Sequence, residues 1–301
     1  MVDKFAAMRA FVEICDQGSL TAAGAALGKS QPTMVRLLAN LEQALGARLL
    51  RRTTRRLALT EEGRGYLEQC RRILADVVAA ERGVASGDSE PRGKLRITAP
   101  VTFGQRHLAP IAVAFLQRYA EVQLELLLLD RVVNMLEEGV DVALRIGSLG
   151  DSSMISTGVG VMRRVLVGSP ALLAQSGTPV TPEDLKSQPA VIFRGVQSNE
   201  SWAFHSEGRS QTVNVRPVFS TNQATPAVAA CVQGIGLGIF LHYQVADQLA
   251  RGELRLLLTE FEPHAVPVSL VYSDARLMSP SLRVLIDFLR TQLREVLSKV
   301  A

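Results

Sequence analysis

Residues 19–56, SLTAAGAALGKSQPTMVRLLANLEQALGARLLRRTTRR, constrain the fold more than any other part of this 301-residue chain. They read as two short helices around a tight turn, followed by a basic hairpin. Thr21 is placed to cap a first helix over 22–27, with Gly28 to end it. A side-chain oxygen at an N-cap accepts an otherwise orphaned N–H, and glycine tolerates the left-handed backbone beyond a helix. Ser30 is placed to cap a second helix, with Gln31 and Pro32 in its first turn, where proline costs little because that N–H has no intrahelical partner. Met34, Leu37, Leu38 and Leu41 then recur at i, i+3, i+4 and i+7, one stripe to bury. The opposite face carries Gln31, Thr33, Val35, Arg36 and Asn40. Glutamine reads adenine bidentately, and arginine reads guanine or holds phosphate. Helix, tight turn and polar second helix make a helix-turn-helix. Strands over 49–52 and 57–60 flank Thr53-Thr54-Arg55-Arg56. With Arg51 and Arg52 this puts four arginines in six positions, which suits a wing laid along the minor groove or the phosphates.

Charge supports a nucleic-acid partner. Residues 1–60 hold nine Lys/Arg and four acids, a balance of +5 against +4 for the whole chain. A basic end on a near-neutral body is the footprint of a nucleic-acid reader. With 47% hydrophobic and 5% aromatic residues the chain reads as globular, in two or three domains. No apolar run of 18 residues predicts a membrane span. The start, MVDKFAAMRAFVEICDQG, carries Asp3, Glu13 and Asp16 and reads as an amphipathic helix rather than a signal peptide, so the expected location is cytoplasmic. Cys15, Cys70 and Cys231 lie far apart, with neither metal spacing nor a disulfide framework, and read as small buried hydrophobes.

Taken in order, Lys4–Gln17 predicts a helix with Phe5, Met8, Phe11, Val12 and Cys15 inward, ended by Gly18. Thr60 caps a proline-free helix reaching about Arg82, roughly 35 Å long at 1.5 Å per residue. Tyr66, Cys70, Ile73 and Val77 step by 4, 3 and 4 along it, a heptad seam that suggests self-pairing. The polar stretch 86–93, SGDSEPRG, reads as a hinge. From Lys94 the pattern predicts strands over 95–99, 122–129 (apolar enough to be central) and 140–146, with helices over 103–118 and 131–138. That alternation means parallel pairing. Strands over 164–167, 191–194, 202–205, 212–215, 218–220, 237–241 and 268–272 follow. Helices are expected over 170–175, 225–233, 243–250 and 279–300.

"GSLTAAGAALGKSQPTMVRLLANLEQALGARLLRRTTRRLALTEEGRGYL" resembles the N-terminal domain of LysR-type transcriptional regulators. The shared features are the Ala-rich first helix, the Ser-Gln-Pro opening of the second, Leu-Glu-x-x-Leu-Gly, the Leu-Leu-x-Arg-Thr-x-Arg wing and the Leu-Thr-x-x-Gly entry to a long helix. "ITAPVTFGQRHLAP", "EEGVDVALRIGSL", Gly168-Ser169-Pro170-Ala171 and "AACVQGIGLGIF" extend the likeness through the effector domain. Val35 stands where the family often has Ser or Thr facing DNA. Valine donates no hydrogen bond but packs on a thymine methyl. The resemblance implies an α/β protein with an N-terminal all-α winged helix-turn-helix and a two-lobed effector domain similar to periplasmic binding proteins. The division would be 1–60 for DNA binding, 61–85 for a dimerising linker helix, 86–93 for a hinge and 94–301 for the effector domain. Its first lobe would be 94–162 with 268–301, and its second 163–267. The implied partners are double-stranded DNA at an interrupted palindrome, a small-molecule effector, and further copies of the chain as dimers and dimer-of-dimer tetramers.

The DNA-contacting set expected from residues and resemblance together is Thr21, Ser30, Gln31, Pro32, Thr33, Val35, Arg36, Arg51, Arg52, Thr53, Thr54, Arg55 and Arg56. Ligands of open α/β sheets collect beyond the carboxyl ends of strands. That points to Pro100, Val101, Thr102 and Phe103, where free N–H groups at a helix start can hold an anion. It points also to Arg145, Ile146, Gly147 and Ser148, to Arg194 and Gly195, and to Asn222, Gln223 and Phe240. The run Gly234-Ile235-Gly236-Leu237-Gly238 follows a helix and precedes a strand, the reverse of a phosphate loop. His107, His205, His242 and His264 are scattered, with no metal pair, and neither a nucleophile elbow nor a Walker loop occurs. No enzyme, cofactor or metal is expected. The alternative is a small-molecule binding protein without specific DNA function, against which the basic N-terminal domain argues.

Overall fold

The computed structural model describes residues 3–52, 57–86, 90–148, 154–195, 200–206, 208–273 and 278–300. The chain forms two compact units, residues 1–90 and 91–301.

In the first unit α1 (Lys4–Gln17) is capped by Asp3, whose carboxylate accepts the Ala6 N–H, and ends at left-handed Gly18. Its buried residues are Ala7, Ala10, Phe11 and Ile14, while Phe5 is 51% exposed. The expected inner face is therefore turned slightly. The alanines bring α1 close to its neighbours, so Phe5 is left in solvent and the small residues carry the contact. Helices α2 (Leu20–Ala26) and α3 (Gln31–Leu45) follow. Strands β1 (Leu50–Arg52) and β2 (Leu57–Leu59) pair antiparallel, with Leu50 opposite Leu59 and Arg52 opposite Leu57. The unit closes with α4 (Glu61–Ser86). Tyr66, Leu67 and Cys70 pack into the same core as Phe11, Met34 and Leu38, and the Tyr66 ring lies 6.0 Å from that of Phe11. The first half of the expected seam thus serves its own domain. Ile73, next along it, is at the surface.

The second unit opens with β3 (Gly93–Ala99), then α5 (Val101–Phe103), a π-turn over Gly104–Leu108 and α6 (Ala109–Arg118). After β4 (Val122–Leu128) the chain runs to β5 (Val142–Ile146) without a helix. The helix expected over 131–138 is replaced by a turn segment. Asn134 Oδ1 accepts the N–H groups of Leu136 and Glu137, and Glu138 holds Arg131 through two hydrogen bonds. Side-chain bonds of this kind compete directly with the helical ladder. The eight-residue β6 (Ile155–Met162) has no counterpart in the sequence expectations. It leads to β7 (Arg164–Gly168), α7 (Pro170–Ser176) and a 3-10 turn at Pro182–Ser187. Next come β8 (Pro189–Phe193), β9 (Ser201–Ser206), β10 (Arg209–Asn214), β11 (Arg216–Thr221), α8 (Ala224–Val232), β12 (Leu237–Leu241) and α9 (His242–Ala250). The chain ends through β13 (Arg255–Leu257), β14 (Val266–Tyr272) and α10 (Pro280–Val300).

Two five-stranded sheets result, ordered β4-β3-β5-β14-β6 and β11-β8-β12-β7-β13. The chain passes from the first to the second after β6 and returns before β14. Strand β4 is an edge strand rather than a central one. Among the described residues it pairs only with β3, yet both its faces are covered: Leu124, Leu126 and Leu128 pack on one core, Leu127 on another. Continuous apolarity records two covered faces, which an edge strand can also have. Lobe one's main core gathers Ile97, Phe103, Phe115, Leu144, Leu270 and Leu289. Lobe two is packed on both faces of its sheet, around Trp202 and Leu237 on one side and Val228 and Phe240 on the other.

Candidate functional sites

The helix-turn-helix is held by short-range bonds. Ser19, not Thr21, caps α2 by accepting the Ala22 N–H at 3.4 Å, and Thr21 lies inside the helix, exposed. The hydroxyl one turn before the first buried alanine wins the cap. At the turn, the Lys29 N–H donates to the Gly24 carbonyl at 2.8 Å. A Cβ on Gly24 would stand 2.6 Å from the Lys29 carbonyl oxygen, so only glycine lets the chain fold back this tightly. Ser30 caps α3 through the Thr33 N–H, and its hydroxyl lies 2.9 Å from that of Thr33. Met34, Leu38 and Leu41 are buried. Gln31, Pro32 and Arg36 on the other side are exposed, with Thr33 and Val35 half-buried at its margin. Glu42, at the far end of α3, accepts the N–H groups of Leu49 and Leu50 at 2.8 and 3.2 Å, tying α3 to the first wing strand. Thr60 closes the wing: its hydroxyl donates to the Arg48 carbonyl at 2.7 Å and accepts the Gly63 N–H at 2.9 Å. A Cβ on Gly63 would lie 2.0 Å from the Leu49 carbonyl oxygen. Arg51 is exposed on β1, and Arg52 follows it in the strand. Thr53, Thr54, Arg55 and Arg56 lie outside the described residues. Gly24, Glu42, Thr60 and Gly63 carry the geometry without touching the expected contact face, and no periodicity marks them.

The cysteines are shielded thiols. Burial pushes Cys15 and Cys70 up to about 11 and Cys231 up to about 12, which leaves little thiolate to react.

In the second unit a cleft of about 250 Å³ opens between the two sheets. Lobe one contributes Pro100, Asp130, Ile146 and Val266. Lobe two contributes Arg164, Phe193, Trp202 and Phe240, and α9 adds Tyr243 and Gln244. Four of the thirteen expected effector positions line it: Pro100, Ile146, Gly195 and Phe240. Thr102 lines a separate groove beside Arg106 and Gln248. Phe103 is a correction. It is fully buried in lobe one's core, its ring 5.3 Å from Tyr243 and 5.0 Å from His107, because α5 begins directly after Pro100 and its third residue turns inward. Arg145 turns away to donate to the carbonyls of Arg131 and Val133, and burial works against its charge. The Gly147 N–H donates to the Pro267 carbonyl, and Ser148 is exposed. Arg194 pairs with Glu200 at 3.3 Å. The Gln223 N–H donates to Thr221 Oγ1, and Asn222 is exposed. Val101 donates its N–H to Asp130 Oδ1 at 3.0 Å.

Asp130, Arg164, Trp202, Tyr243 and Gln244 are cleft residues outside the expected set. Asp130 sits just past β4, one more strand end, and the strand-end rule extends to it. Burial raises the Asp130 carboxyl, partly offset by the Val101 N–H. Burial also lowers the Arg164 guanidinium and raises the Tyr243 phenol. Beside the cleft, Arg106 donates to Asp247 at 2.6 Å and to the Tyr243 carbonyl, binding lobe one's π-turn to α9. The two crossover segments are joined by Arg163, which donates to both oxygens of Glu262 at 2.9 and 3.0 Å.

A basic helix-turn-helix joined to a two-lobed α/β domain with an interlobe cleft defines a ligand-responsive DNA-binding regulator. The bacterial regulatory helix-turn-helix protein model of the lysR family matches residues 5–64, and the LysR substrate binding domain model matches 88–294. The chain belongs to the LysR-type transcriptional regulators. An HTH-type transcriptional regulator of Xanthomonas campestris pv. campestris is 33% identical over 94% of this chain and 83% of its own length. CrgA of Neisseria meningitidis serogroup C is 32% identical over 94% and 95%. The solved structure of CrgA, a LysR-type regulator from Neisseria meningitidis, superposes with a TM-score of 0.60 at 31% identity, covering 96% of this chain and 98% of that one. The family is one of transcriptional regulators, which are generally not enzymes. Among the described residues, no helix is long and apolar enough to cross a membrane, and no group of three His, Cys, Asp or Glu could hold a metal ion.

Proposed function

We propose that this chain binds a promoter through α3 and its wing, and that a small molecule in the interlobe cleft sets how it does so. The observation that carries the reading is the division of α3: Met34, Leu38 and Leu41 are sequestered while Gln31, Pro32 and Arg36 stand free on the opposite side. A helix so divided enters a major groove with its first turn at the base edges. Gln31, Pro32, Thr33 and Val35 meet the bases, Arg36 anchors phosphate or base, and Thr21 and Ser30 border the backbone. Arg51 and Arg52, with residues 53–56, run along the minor groove.

The working division is a reading domain over 1–60, a linker helix over 61–85, a hinge over 86–93 and an effector domain over 94–301. Beyond Cys70 the seam of α4 continues through Ile73 and Val77 after its own domain's core ends, so this part pairs with a second copy. Two heads related by a two-fold axis then read an interrupted palindrome, and such dimers pair into tetramers in the cytoplasm. An effector that fits one arrangement of the lobes better than another shifts the population toward it.

Fluorescence anisotropy of the full chain on DNA from upstream of its own coding sequence tests the reading, against a scrambled duplex at two salt concentrations. Tight binding to the upstream duplex, weak binding to the scramble and a steep salt slope are expected. No binding to either duplex at low salt would overturn it.

A further inference from the structure

The sequence directs attention to the start of α5 as an anion site, but the structure fills that site with the protein's own carboxylate. The Val101 N–H, the first donor an anionic effector would use, already donates to Asp130 Oδ1 at 3.0 Å. Asp130 lines the cleft, and its Oδ2 is shut off from solvent with no hydrogen-bond partner among the described residues. A ligand carboxylate placed here would meet a like charge in a partly dry site, which costs far more than it would in water. Arg164, the other charged side chain on the wall, has a partner of its own. The walls are aromatic, with Phe193, Trp202 and Phe240, and ring faces attract cations. A cleft carboxylate with one oxygen held by the Val101 N–H and the other without a partner among the described residues, in a cleft also lined by rings, is the chemistry that recognises an ammonium.

Resting on the reading of this cleft as the effector site, we infer that the effector is a small organic amine. Its ammonium pairs with Asp130, and its apolar body lies against Phe193, Trp202 and Phe240. At about 250 Å³ the cleft falls just under the roughly 300 Å³ at which ligand pockets usually begin, so the amine is small. Charge at this position selects amines over acids, because the carboxylate that attracts one also occupies the N–H that would hold the other.

Trp202 is the chain's single tryptophan and lines the cleft, so its fluorescence reports occupancy without a label. The full chain is titrated with 2-phenylethylamine, 2-phenylethanol and phenylacetate, excited at the tryptophan edge. Saturable quenching by the amine is expected at concentrations at least about tenfold below those the alcohol needs, the scale of one charged hydrogen bond. Phenylacetate should leave Trp202 silent. Asp130→Asn keeps an acceptor for the Val101 N–H, preserves the shape and should erase the amine's advantage. Asp130→Ala frees that N–H and should admit phenylacetate. The assignment is overturned if phenylacetate binds the unaltered chain as well as the amine does. An amine response that survives Asp130→Asn, or no saturable amine response into the millimolar range, also overturns it. The cleft reading fails separately if a compound shifts DNA binding, leaves Trp202 unchanged and is indifferent to Asp130→Asn.

Discussion

The helix-turn-helix head and the interlobe cleft encode their proposed sites in opposite ways. In the head, the buried residues and those proposed to contact DNA share one 15-residue helix, α3. A hydrophobic period of 3.6 assigns each residue to one side, so burying Met34, Leu38 and Leu41 presents Gln31 and Arg36 to solvent. In the cleft, Asp130, Arg164, Phe193, Trp202 and Phe240 come from five separate stretches and meet only because of how the two five-stranded sheets order their strands and where the separate β9–β10 pair packs. A site on one element is written in its own period, whereas a site between elements is written in the topology, and local patterning carries little of it.

The comparison would break first at Gly63, since the head depends on one contact that no period encodes. A Cβ there would lie 2.0 Å from the Leu49 carbonyl oxygen and 2.9 Å from its carbon. Both are backbone atoms that cannot step aside. Gly63→Val should destabilise the first unit by about 3 kcal/mol, read as a lower denaturation midpoint. An unchanged midpoint would mean that the junction between wing and α4 yields freely. Arg36 probes the local half of the argument. Arg36→Ala should weaken operator binding by about 2 kcal/mol and leave the midpoint alone, since the side chain is exposed. Lost stability instead of lost affinity would put Arg36 in the architecture.

These contrasts show how far the sequence could be read. The helix-turn-helix, the hairpin and most strands of the effector domain were legible because each rests on residues adjacent in the chain. The cap of α2 falls at Ser19, two residues before the Thr21 that the sequence favours, because both are competent and packing of the alanines decides between them. Phe5 stands in solvent rather than on the predicted inner face because small residues, not the largest, set how near α1 approaches. The edge position of β4 and the existence of β6 were hidden, since apolarity reports covered faces and not neighbours. At 131–138 the helical pattern lost to Asn134, whose Oδ1 takes the N–H groups of Leu136 and Glu137 at 3.2 and 3.4 Å. Asn134→Ala removes that competitor. It should cost the second unit about 1 kcal/mol, as losing a cap does. A gain in both stability and helical circular dichroism would show that the helix was the better structure.

The smallest expected effect tests whether β4 is secured at the sheet edge by charge as well as by packing. Glu125 on β4 takes hydrogen bonds from Lys94 at 2.7 Å and Arg96 at 3.0 Å, both on β3, and these hold its carboxyl below the ordinary range, Lys94 first and Arg96 next. Arg96 also donates to the Glu138 carbonyl at 2.7 Å, so one guanidinium spans the edge strand and the turn that replaced the predicted helix. A carboxyl lowered by folding stabilises the fold at pH values above its unfolded pKa. That contribution is lost as pH falls through the folded value. The Glu125 side chain is 35% exposed and water screens the pair, so the gain at neutral pH stays under about 1 kcal/mol. Unaltered protein should therefore be slightly more stable than Glu125→Gln at neutral pH, the two converging as the pH falls through the lowered folded-state value of Glu125. A difference that persists unchanged in acid would assign the benefit to the shape of Glu125 rather than its charge. The hold on β4 would then rest on its two apolar faces alone, the same local signal that made the strand visible in the sequence and concealed its place at the edge.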